Sequence, residues 1–137
     1  MEIKQIKFFR KVIEVLDKEI NILIVNRGHI NQVIKNLQKS LIALSMEIEK
    51  EKQLSRQILN FEFGKFFEEC KKRKQKIEDE IKQNQTIVED LMSELKEKFN
   101  KQKKYEILSN KMEEKVKTQN EFNEQKKLDE LTQQRYM

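Results

Sequence analysis

"ILNFEFGKFFEE", residues 58–69, decides how this chain folds. Reversals need Gly, Pro, Asn or Asp, and the 137 residues hold two glycines and no proline. Asn60 and Gly64 sit together in this stretch, between two long tracts of apolar periodicity; the only other Gly-centred candidate is "NRGHI" at 26–30. A turn is therefore predicted near residues 60–64, with long elements on both sides.

Upstream, alternate steps of three and four residues from Ile6 meet Phe9, Ile13, Leu16, Ile20, Leu23, Arg27, Ile30, Ile34, Leu37, Leu41, Leu44 and Ile48. Twelve of these thirteen positions are apolar, Arg27 being the exception. Their mean spacing is the coiled-coil repeat. The phase passes through Gly28 unbroken, which places that glycine inside a helix, at about 1 kcal/mol relative to Ala, with room for a local bend.

Downstream, a less regular seam follows "KKRKQK" (71–76) through Ile77, Ile81, Asn84, Val88, Leu91, Leu95, Tyr105, Met112 and Val116. Lys98, Gln102 and Ser109 interrupt it at seam positions, and Phe99 and Leu108 fall beside it. Glu78–Lys82, Glu94–Lys98, Glu97–Lys101 and Glu113–Lys117 are spaced for ion pairs along one helix. The predicted fold is all-α: one long antiparallel two-helix coiled-coil hairpin, with helix one over about 3–59 and helix two over about 65–134.

A reversal near residue 62 sets residue i against roughly residue 124 − i. Ile6 then lies near Thr118, and Arg27 lies near Glu97, which would explain its charge in the seam. Residues 123–137, "NEQKKLDELTQQRYM", are left as an overhang of roughly 20 Å. Leu128, Leu131 and Arg135 share a face there, whereas the seam carried on in phase runs through Asn123, Lys126 and Glu130. Such leucines read as a surface for another molecule or as a loosely ordered helix end.

Composition narrows the function classes. With 39% charged residues, a compact core is not expected. The longest apolar run, "INILIV" at 20–25, is too short to span a bilayer, and charges from Glu2 to Lys11 break up any leader core. One Cys and one His (Cys70, His29) build neither a disulfide nor a zinc site, and no cofactor is expected. Nothing around His29 supplies a nucleophile or an orienting carboxylate, so catalysis is not expected.

Most of the net charge of +5 comes from residues 1–60, with 11 Lys/Arg against 7 Asp/Glu; the remainder, 18 against 17, is nearly balanced. The basic run at 71–76 is flanked by Glu68, Glu69 and "IEDEI" and lacks interleaved aromatics, so it reads as a solvated face rather than a nucleic-acid groove.

Two further patterns allow two readings each. Phe63, Phe66, Phe67 and Cys70 recur on one helical face, either as a plug closing the hairpin end or as a docking face. Phe8, Val12, Val15, Ile22 and Val33 flank the first seam, either as extra packing within the hairpin or as a second docking face.

"NEQKKLDELTQQR", with "KKYE" at 103–106 and the aromatic-then-basic "FGKFFEECKKRK" at 63–74, resembles the FliJ family of flagellar type III export proteins, small helical hairpins similar in fold to the central stalk of rotary ATPases. The resemblance implies a non-enzymatic stalk that inserts into a hexameric export ATPase (FliI-like), promotes its assembly and activity, and escorts export chaperones to an export gate protein (FlhA-like). On that likeness Gln125, Lys126, Leu128, Asp129, Glu130, Leu131 and Arg135 would meet the ATPase ring, and Phe63, Phe66 and Phe67 the gate. The Lys-rich 71–76 run departs from the family at the gate contact. Such a protein would be cytoplasmic, peripheral at the inner membrane beneath the flagellum, with neither nucleic-acid binding nor membrane insertion. A YscO-like injectisome stalk and a homodimeric coiled-coil tether joined through the first seam are the alternatives.

Overall fold

The computed structural model describes residues 2–57 and 63–136, and they form a helical hairpin of two long helices. Helix α1 spans Glu2–Gln57 and helix α2 spans Gly64–Tyr136. No proline interrupts either; Lys, Glu, Gln and Leu, good helix formers, dominate α2, while α1 is richest in Ile and its apolar seam helps hold it helical. Glu2 in the first turn of α1, Arg56 in its last and Arg135 in the last turn of α2 each complement the local end of the helix dipole. α2 has no acidic residue in its first turn; the Phe63 carbonyl accepts its first backbone hydrogen bond, from Phe67 N at 2.9 Å.

Of the turn expected at 60–64, residues 60–62 lie outside the described residues. Gly64 is the first residue of α2, and neither glycine has a positive φ. Gly64 thus opens α2 without adopting the left-handed conformation. A Cβ at Gly28 or Gly64 would meet nothing within 4 Å. Gly28→Ala is therefore expected to stabilise the protein by about 0.5–1 kcal/mol and Gly64→Ala by no more than that, both read as shifts in thermal unfolding.

All thirteen positions of the first seam are buried or half-buried, as are Ile77, Ile81, Asn84, Val88, Leu91, Leu95, Lys98, Gln102, Tyr105, Ser109, Met112 and Val116 of the second. The seam of α1 is covered by its own chain, so a homodimer closed through that seam would first have to open the hairpin.

Two compact units divide the chain: residues up to Ile22 with those from Leu95 onward form one, and Leu23–Glu94 form the other. In the first, Ile6, Leu16, Ile20 and Leu95 are buried, and the rings of Phe9 and Tyr105 meet at 5.8 Å. In the second, Leu23, Leu44 and Cys70 are buried.

The cross-helix contacts fall short of the expected register, by one residue at Arg10–Glu113 and by five to ten at the others. Glu2 pairs with Lys115 at 3.3 Å and Glu19 with Lys98 at 2.8 Å, each seven residues short of the partner that a reversal at residue 62 implies. Arg27 does not reach Glu97 as an ion pair; its Nη1 donates to the Met92 sulfur at 2.9 Å. A slide by one heptad keeps the same a and d positions facing the partner helix, so the apolar periodicity alone does not distinguish these registers. Polar seam residues do: Lys98 reaches Glu19, and Gln102 donates to the Ile13 carbonyl at 3.4 Å. Two of the charges assigned to pairs along α2 are drawn across instead, Lys98 to Glu19 and Glu113 to Arg10.

Candidate functional site

Among the described residues, Glu2–Lys115 is the cross-helix ion pair farthest along α2, and from residue 117 to residue 135 every side chain is exposed. Helix α2 is 73 residues long against 56 for α1, and it continues about twenty residues past Lys115, roughly 30 Å. Lys117, Asn120, Glu121 and Glu124 still line a groove with Ile6, and Thr118, Gln119 and Phe122 one with Glu2, so the part of α2 clear of α1 begins close to the expected residue 123.

A bare helix of this length has little to hold it except its own hydrogen bonds and side-chain pairs. Gln125 Nε2 donates to Asp129 at 3.2 Å, one turn away, and the Thr132 hydroxyl donates to the Leu128 carbonyl at 2.8 Å. The stretch 117–135 carries four basic and four acidic residues, so it has no net charge of its own.

Against this balanced background three large apolar side chains stand out: Phe122 is 67% exposed, Leu128 58% and Leu131 61%. Leu128, Leu131 and Arg135 lie on one face by their spacing, while Phe122 shares another with Gln125 and Asp129. Lys126 and Glu130, exposed, lie where the seam would continue. Phe122 was not anticipated as a site residue. Its signal was available, a lone aromatic in a polar stretch beyond the last hydrophobic seam position, Val116.

Phe63, Phe66 and Phe67 are brought together. Their rings form a continuous contact, Phe63 with Phe67 at 6.1 Å and Phe66 with Phe67 at 5.6 Å, edge to face in the second pair. All three are half-buried and lead to Cys70, the most buried side chain described, at 2% exposure. The three rings form one cluster at the start of α2, with part of each ring still exposed. Phe61 lies outside the described residues.

His29 is exposed, as is every residue of the basic run 71–76. Gln75 bonds Asp79 at 2.9 Å, and Lys72 and Lys76 share their surface with Asp79 and Glu80, so the run is interleaved with acid on its own helix face. No described helix is long and apolar enough to cross a membrane.

Comparison with known proteins finds no matching family, curated protein or solved structure. The geometry of the overhang is therefore the main guide to function.

Proposed function

We propose that this chain is a non-enzymatic stalk of a type III export apparatus, engaging a hexameric export ATPase through the exposed end of α2. The exposed stretch 117–135, whose residues after Glu124 share no groove with α1 among the described residues and include Leu128 and Leu131, each more than half exposed, carries the proposal. A helix that enters a ring needs an end clear of its own partner and a few apolar anchors, spaced so that the free protein does not aggregate. Charge balance in the stretch serves the same end. Gln125, Lys126, Asp129, Glu130 and Arg135 would supply the polar rim, and the FliJ-like motif in the same residues names the class of ring.

In this role the Phe63–Phe66–Phe67 face would meet the export gate, chaperones would be handed on from the same hairpin, and the protein would work at the cytoplasmic face of the membrane. An injectisome stalk of the same design differs only in the apparatus served.

The test is ATPase stimulation, using the hexameric export ATPase encoded by the same genome. Wild-type protein is expected to raise its turnover, and the Leu128→Ala/Leu131→Ala double variant to lose most of that effect while its thermal unfolding stays within about 0.5 kcal/mol of wild type. Stimulation undiminished in the double variant removes the tail from the contact. No association with the ATPase removes the export role. A stable parallel dimer by light scattering would favour the tether.

A further inference from the structure

In the stripe flanking the first seam only Val12 is half-buried; Phe8, Val15, Ile22 and Val33 are exposed. Phe8 is 59% exposed, and Val15 and Ile22 are exposed with it. These three recur every seven residues, which sets them in line along one face of α1 for about two heptads, roughly 20 Å. Phe8, Val12 and Val15 form the floor of an open groove in the unit that holds both helix ends. Its rims are basic on both sides: Lys4, Lys7 and Lys11 from α1, and Lys101 from α2. The one carboxylate in the lining, Glu19, is already engaged by Lys98 at 2.8 Å.

We propose that this groove docks an acidic amphipathic helix of a partner protein, laid along α1 as a third strand of the bundle. An apolar trough between two packed helices is the seat a third helix occupies, read by anchors at i, i+3 or i+4, and i+7. Basic rims select carboxylates flanking those anchors, which is how charges beside an apolar seam choose their partner. A second copy of this chain fits poorly: the same groove would bring lysine against lysine, and the overhanging 117–135 stretch has as many basic as acidic residues. The docking site uses none of the residues assigned to the ATPase contact, so each stands or falls separately.

The full-length protein would be panned against a displayed library of 18-residue amphipathic helices. The apolar stripe is held constant, and the flanking positions vary among Glu, Gln and Lys. Enrichment of Glu at both flanks is expected. The winning peptide should bind at least tenfold more weakly to Lys7→Glu/Lys11→Glu and to Phe8→Ser, both exposed substitutions whose melting curves verify folding, and its affinity should fall with added salt. Overturning results are no enrichment, enrichment without charge bias, or affinity unchanged in both variants. Two competing occupants have their own readouts, and either overturns the proposal. Wild-type binding to phosphatidylserine vesicles but not to the enriched peptide would assign the face to a membrane. Concentration-dependent dimerisation abolished by Phe8→Ser would assign it to a second copy.

Discussion

Leu95→Ala is expected to lower the free energy of unfolding by about 2–4 kcal/mol, measured by urea denaturation followed in the far-ultraviolet. Leu95 and Ile20 are each 3% exposed, in the unit that also buries Ile6 and Leu16. Two helices make only one seam, so each buried leucine is a large share of the apolar contact available to that unit. Truncation removes both its transfer free energy and its packing, and the rigid backbone of a helix pair closes little of the gap. Against a total stability of about 5–15 kcal/mol for a typical domain, such a loss shifts the midpoint conspicuously. Leu128→Ala, on the exposed face of the same helix, should stay within about 0.5 kcal/mol of wild type. Equal effects at the two positions would mean that Leu95 is not sealed in a seam.

The thiol of Cys70 should react with an aromatic disulfide reagent about two to three orders of magnitude more slowly in the native protein than in denaturant. Cys70 lies six residues into α2, continuing the face of Phe63, Phe66 and Phe67, and its side chain is fully buried. A reagent cannot reach it without opening that part of the hairpin, so the labelling rate reports the free energy of local opening. Phe67→Ala removes the ring that touches both Phe63 and Phe66, and should speed labelling at least tenfold. Native labelling as fast as in denaturant would show that the ring cluster is open in solution.

Much of this architecture was legible in the residues. An apolar repeat held in phase from Ile6 to Ile48 specifies a helix and the side it buries, because each seam position returns to the same face. Every one of those positions is covered, Arg27 included. The polar positions of the second seam were equally readable, and Asn84, Lys98, Gln102 and Ser109 are all covered too.

The candidate sites were less legible. Leu128 and Leu131 could be named from their departure from the seam phase, and they are exposed. Phe122 is off the phase of the second seam, beside Asn123, and no repeat marks it. For the Phe8, Val12, Val15 and Ile22 stripe, packing within the hairpin was the simpler expectation. Flanking positions of a coiled coil are covered or bare according to what lies across from them, and here α2 offers lysine at the rim rather than an apolar cover.

By itself, then, the sequence determined the helices, the buried faces and the single reversal, since those follow from local propensity and from a periodicity that each helix carries alone. Only the tertiary structure decided the register, and with it the length of the bare end of α2. A one-heptad offset keeps the same apolar positions in the seam, so their periodicity by itself does not select the register. The choice rests on a few cross-helix polar contacts, Lys98 with Glu19 and Gln102 with the Ile13 carbonyl, that exist only once both helices are in place.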